Sequence, residues 1–182
     1  MDMTKWPARA DFPIARPGIK FVVTAILITG IFFYLGLPIP GAAAMAVTVF
    51  ITWFFRDPDR AAPQGEGLLI SPADGKVIII EDRNQCEYIE GPCKKVSIFM
   101  NVFNVHVNRM PLSGRIENVI YHPGKFVNAS LDKASEHNER NALVVRTEDK
   151  QSYAVVQIAG LIARRIVNCA RPGDHLNTGD RY

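Results

Sequence analysis

Cysteine is scarce in this chain: its 182 residues include three, Cys86, Cys93 and Cys169. The Cys86 to Cys93 spacing fits neither a zinc ribbon nor a redox pair, and no second pair is present to complete a metal site. Three reduced thiols with structural or incidental roles are the expectation, and no metal centre. A basic excess is lacking too. Beyond residue 60 the sequence carries 15 Lys and Arg against 14 Asp and Glu. Its few aromatics are not interleaved with cations, which excludes a nucleic-acid surface. Repeats and low-complexity tracts are absent. Charge is missing altogether from two stretches, "FVVTAILITGIFFYLGL" at 21–37 and "GAAAMAVTVFITWFF" at 41–55.

Those two stretches, separated by "PIP", predict a hydrophobic helical hairpin entering a bilayer from one side. It either spans the membrane or lies in it as re-entrant or interfacial helices. A buried core hairpin is the alternative. Lys5, Arg9, Arg16 and Lys20 precede the pair, Arg56 and Arg60 follow it, and the connector is uncharged. The positive-inside tendency then puts both ends, and the rest of the chain, on the cytoplasmic face of the cell membrane. The same cations attract an anionic membrane surface. A cleaved signal peptide fits poorly, because the apolar run starts late and occurs twice.

The segment "FFRDPDRAAPQGEG" has the composition of a linker. We divide the chain into residues 1–60, the membrane-associating hairpin with its linker, and residues 61–182, a β-rich domain. Removal of 1–60 is expected to leave that domain folded. Strands are predicted over Leu68–Ile70, Lys76–Glu81, Lys95–Val107, Arg115–Tyr121, Ala142–Thr147 and Ser152–Ala159, with another at Ile162–Asn168. Turn chemistry separates them at "PADG", "EGPC", "PLSG" and "HPG". Residues 128–141 read as a loop with one or two helical turns. The fold class is mainly β (α+β), of short strands behind a helical hairpin.

One stretch stands out. In "FMNVFNVHVNRMP", residues 99–111, strand alternation puts Phe103, Val105 and Val107 on one face and Asn104, His106 and Asn108 on the other. The face is either the solvated side of an edge strand or the wall of a site. In the second case His106 is its one group titrating near neutral pH.

Several strings together resemble the phosphatidylserine decarboxylase family in its short form. They are "FFRDPDR", "SPADGKV", "FMNVFNVHVNRMPLSG", "YHPGKFVNAS", "HNERN", "QIAGLIARRIV" and "GDRY", in that order from about residue 50 to the last. The resemblance implies a lyase that turns phosphatidylserine, or archaetidylserine, into the corresponding ethanolamine lipid and CO₂. Its electron sink would be a covalent pyruvoyl group, to which the substrate amine is joined as a Schiff base. That group comes from a serine at which the proenzyme cuts itself, and the serine becomes the cap of the smaller, α chain. No serine here follows a glycine, so the pyruvoyl serine is expected beyond Tyr182. This sequence then corresponds to most of the β chain, inactive without the α chain as partner. Assembly with a second copy is left open.

The resemblance also assigns residues. Asp74 would orient a base or polarise the site during maturation; as a plain turn residue it would bond its own backbone. His106 would guide the substrate carboxylate or return a proton to the carbanion, with Asn104 and Asn108 fixing its orientation. Arg109 stands where longer members carry a second histidine, the maturation base. Arginine stays protonated and cannot take that role. His122 and His137 are the candidates to replace it, against the plainer readings of a turn residue and a solvated loop residue. Arg109 and Arg140 are the cations expected at the substrate, Arg140 through the headgroup phosphate or through an ion pair with Glu139. The rival reading is a non-catalytic, membrane-anchored β domain that binds lipid or protein.

Overall fold

The computed structural model describes residues 13–63, 65, 67–127 and 137–182. Lys5, Arg9 and most of the 128–141 stretch lie outside these. The charge-free runs form two helices, α1 (Arg16–Tyr34) and α2 (Pro38–Phe54), each opened by a proline in its first turn. Proline is well suited there, since the first-turn N–H groups have no helical acceptor. The helices pair through small residues. Gly18 lies against Phe55 and Gly41 against Phe33, where a Cβ would collide. Thr29 and Thr48 share a hydrogen bond of 2.9 Å, and Phe21 stacks on Phe55 at 5.5 Å. The outer faces, including Ile26, Leu27, Ile31 and Val47, stay uncovered. Of the two, α1 is long and apolar enough to cross a membrane; its 19 residues span roughly 28 Å at 1.5 Å per residue. Among the described residues nothing covers these outer faces.

Among the described residues six strands follow, all antiparallel to their neighbours: β1 (Lys76–Arg83), β2 (Cys93–Phe99), β3 (Gly114–His122), β4 (Arg140–Arg146), β5 (Ser152–Ile158) and β6 (His175–Leu176). β1 and β2 form a two-stranded ribbon, and the other four a sheet of order β5-β4-β3-β6. The architecture is α+β and β-rich, as expected. Two predicted strands are absent: 68–70 and 162–168 run as irregular chain. Arg164 and Arg165, within that run, are both exposed, and Arg164 donates to the Leu161 carbonyl. Cys86 and Cys93 are joined as a disulfide that closes the β1–β2 loop, and Cys169 is free. The expectation of reduced thiols is corrected for that pair; the spacing that fits no zinc or redox motif suits a crosslink across a short loop.

The core lies on one face of the four-stranded sheet. Ile116, Leu143, Val145 and Val155 come from its strands, while Met110 and Tyr182 come from flanking loops. Those loops run side by side. Met110 N–H donates to Asp180 O at 2.8 Å, Gly179 N–H donates to Met110 O at 2.9 Å, and Arg109 and Arg181 form a bridge. Burial pushes the Tyr182 hydroxyl pKa far up. The "NRMP" and "GDRY" strings are thus two sides of one structural unit.

A buried ion cluster fastens the hairpin's end to this unit. Asp57 accepts from Arg181 Nε through both carboxylate oxygens, at 2.9 and 2.8 Å, and from Arg109 Nη2 at 3.3 Å. Asp59 adds a contact of 3.0 Å to Arg181 Nη2. Residues assigned by composition to the linker therefore neutralise cations buried in the β-rich part. Removal of all of 1–60 would strip that neutralisation, so the expectation that the remainder stays folded is revised.

Candidate active site

The predicted strand over Lys95–Val107 stops at Phe99, and the cause is local. The Asn101 side-chain oxygen accepts from Phe103 N–H and the Asn104 side-chain oxygen accepts from Asn101 N–H, both at 2.8 Å. Asn104 N–H closes the turn on Asn101 O. Short amide side chains that bond nearby backbone compete with a strand ladder, and here they win. Asn104 is consumed in this turn and does not share a strand face with His106.

Beyond the turn, residues 105–109 join no strand, apart from the bridge of Arg109 to Arg181, and are pinned to the "SPADG" segment. Arg109 N–H and Asn108 Nδ2 both donate to Pro72 O, at 2.9 and 3.1 Å. Val105, Val107 and Arg109 border a cavity of about 200 Å³ that also meets Asp74, Arg60 and Gly179. His106 and Asn108 are not among its lining residues.

His106 stacks on Phe54, the last residue of α2, with ring centroids 4.3 Å apart and planes 24° from parallel. Its Nδ1 is buried without a hydrogen-bond partner. Burial pulls its pKa below the ordinary histidine value; the Asn104 backbone carbonyl opposes this and the Arg56 charge adds to it. Burial thus disfavours the protonated ring.

Asn108 continues the polar side. Its Oδ1 accepts from Gln157 Nε2 at 3.0 Å, and Gln157 stands across the β4–β5 ladder from Asn141. Gln157 Oε1 and Asn141 Nδ2 are both buried without partners. Unpaired buried polar atoms are costly, so these two on neighbouring strands mark a place built for a further polar group. Sequence reasoning missed Gln157 and Asn141, although both lie in strings quoted above. It missed Phe54 as well.

Asp74 sits in the "PADG" turn and pairs with Arg60 at 2.6 Å. Gly75 packs against the Phe99 carbonyl so closely that no Cβ fits, which explains the glycine after the aspartate. Arg109 donates to Gly179 O, Pro58 O and Asp57. Its terminal nitrogens are thus engaged in holding chain segments together, where a substrate contact was expected.

The remaining candidates lie elsewhere. His122 and Arg140 face each other on the β3–β4 ladder, one residue along from the row of Tyr121, Asn141 and Gln157, and so on the opposite side of the sheet. There His122 meets the Tyr88 ring at 6.0 Å, and Arg140 pairs with Glu87 at 3.0 Å where a pair with Glu139 was expected. His137 is exposed, with its carbonyl accepting from Lys125 N–H. Neither histidine joins Asp74 or His106 through a hydrogen bond among the described residues. No cluster of three or more His, Cys, Asp or Glu suited to a metal occurs among them either.

The sequence model of the family described as phosphatidylserine decarboxylase matches residues 47–182. A phosphatidylserine decarboxylase proenzyme of Syntrophus aciditrophicus (strain SB) is 51% identical over 173 residues, covering 94% of this chain and 81% of the relative. Proteins of the same name from Desulfotalea psychrophila and Nitrobacter winogradskyi are 44% and 47% identical, covering 93% of this chain and 79% and 70% of theirs. With the order of motifs, the fold behind the hairpin and the polar site around His106, these matches make the chain a member of the phosphatidylserine decarboxylase family.

Proposed function

We propose that this chain forms the larger part of a pyruvoyl-dependent decarboxylase that converts phosphatidylserine to phosphatidylethanolamine and CO₂ at the cytoplasmic face of the cell membrane. The observation that carries this reading is His106, stacked on Phe54 with its Nδ1 buried and unpartnered, two residues from Asn108, which accepts from Gln157. A non-catalytic binding module has no need of a desolvated histidine there, and membership in a family of enzymes argues against it.

The reaction breaks the bond between Cα and the carboxylate of the serine headgroup and leaves an electron pair on carbon. When bound, the pyruvoyl group supplies the sink for that pair. The unpartnered Gln157 Oε1 and Asn141 Nδ2 are an acceptor and a donor suited to a carbonyl- and amide-bearing group of this kind. Once protonated, His106 returns a proton to carbon; its lowered pKa strengthens that acid while leaving less of it protonated at neutral pH. Asn108 is held at both ends of its amide and fixes the polar side of the segment. Asp74, on the other side of the same segment, acts in self-cleavage.

Membrane delivery fits the uncovered apolar faces of α1 and α2. It also fits Trp53 and Arg56 at the end of α2, where the guanidinium lies 4.3 Å over the indole. Aromatic and basic residues concentrate at the headgroup level of bilayers. The complete protein should float with anionic vesicles and release labelled CO₂ from serine-labelled phosphatidylserine within them. A Leu27→Lys, Ile31→Lys variant should lose most of the flotation. Full flotation by this variant would contradict the membrane reading, and absence of CO₂ release by cleaved wild-type protein would contradict the activity.

A further inference from the structure

We propose that Phe54 is a positioning residue for His106, so that the apolar hairpin forms a wall of the reaction site as well as an anchor. This rests on the catalytic reading of His106 given above.

The geometry is specific to the end of α2. The Phe54 ring covers one face of the imidazole at 4.3 Å. It is itself held by Phe50 at 6.3 Å and Phe55 at 5.0 Å. The turn that leads into His106 is fastened to the same helix end. Arg56 Nη2 donates to the Phe103 carbonyl at 2.7 Å, and Phe50 meets the Phe103 ring edge-on at 6.4 Å. Arg56 also donates to Trp53 O at 3.0 Å, which fixes the guanidinium on the last turn of α2. His106 and the turn before it are therefore placed by contacts from residues 50–56, the Arg56–Phe103 bond alone spanning 47 positions, and not by a strand ladder of their own.

Two consequences follow. Rotation of the imidazole about its side-chain bonds is restricted by the stacked Phe54 ring. Water is kept from one ring face, while Arg56 is the charged group and the Asn104 carbonyl the polar backbone group acting on the ring. A hairpin displaced from its seat would release both restraints.

The test uses the complete proenzyme carrying Phe54→Leu, which keeps an apolar side chain but removes the ring, and Phe54→Tyr, which keeps the ring. Phe54→Leu should cleave itself and float with vesicles normally. Its kcat should fall by roughly 10–100-fold, the scale expected for a misplaced catalytic group, with KM little changed. The limb of its pH–rate profile set by His106 should move to higher pH, toward the ordinary histidine value of about 6.5. Phe54→Tyr should restore both rate and profile. A Phe54→Leu protein with wild-type kcat and profile, beside an inactive His106→Ala control, would overturn this inference alone. Failure of Phe54→Leu to cleave or float would assign Phe54 to folding and overturn it too. A fully active His106→Ala control would remove the catalytic reading on which it stands.

Discussion

Replacement of His106 by alanine in the complete proenzyme should leave the chain cut and lower decarboxylation by roughly 10²–10⁴-fold, the usual range for a lost general acid or base. At about 1.4 kcal/mol per tenfold this is roughly 3–5 kcal/mol of transition-state stabilisation. The separation of the two steps follows the roles that the resemblance implies, and the geometry is compatible with it. His106 and Asn108 leave the 105–109 segment on one side, whereas Arg109 borders the cavity that meets Asp74. Asp74→Ala should therefore do the reverse and accumulate uncut proenzyme. A gel for cleavage beside CO₂ release from labelled lipid reads both. Near-normal CO₂ release by cleaved His106→Ala protein would return the residue to a packing role against Phe54.

The second large effect concerns stability. Asp57→Ala should destabilise the protein by about 3–5 kcal/mol, the cost of breaking a buried ion pair by removing one partner, with Asp59 left as the remaining carboxylate on Arg181. The Arg181 side chain is 1% exposed and that of Asp57 3%, so water cannot take the carboxylate's place. Arg109, at 11%, would lose the same counter-charge. Against a total stability of about 5–15 kcal/mol, such a loss is a large fraction. Urea unfolding of the intact protein in detergent measures it. A change below about 1 kcal/mol, the value of an exposed ion pair, would mean that the cluster is solvated. The same logic locates a better truncation point: a chain beginning at Arg56 keeps Asp57, and one beginning after residue 60 does not.

Much of the architecture was legible in the residues. Freedom from charge over 21–37 and 41–55 marked α1 and α2, because no other arrangement leaves so many apolar groups without a counterpart. Alternation and turn residues marked β1, β3, β4 and β5 to within a few positions. What escaped depends on competition and on distance. The strand through 95–107 was broken by the Asn101 and Asn104 amides, which bond backbone more locally than a ladder does. The run at 162–168 is apolar enough for a strand but finds no neighbour to pair with, and β6 is too short for any periodicity.

The site was legible in part for the same reason. His106 and Asn108 share a side because alternation over five residues suffices to set it. Asp57 and Arg181 are 124 positions apart, and Phe54 and His106 are separated by the linker and the whole β1–β2 ribbon. Neither pairing leaves a periodic trace, although all four residues lie within the quoted strings or beside them. Arg109 shows the limit of position by resemblance. It stands where longer relatives are expected to carry histidine, yet its guanidinium binds Asp57 and two backbone carbonyls.

The central claim is a self-processed, pyruvoyl-dependent enzyme, and intact-mass measurement of an active full-length preparation tests it most directly. The account predicts two chains: a larger one containing residues 1–182, and a smaller one whose N-terminus resists sequencing and whose mass fits a pyruvoyl cap in place of serine. A single uncut chain in a preparation that releases CO₂ from phosphatidylserine would contradict it.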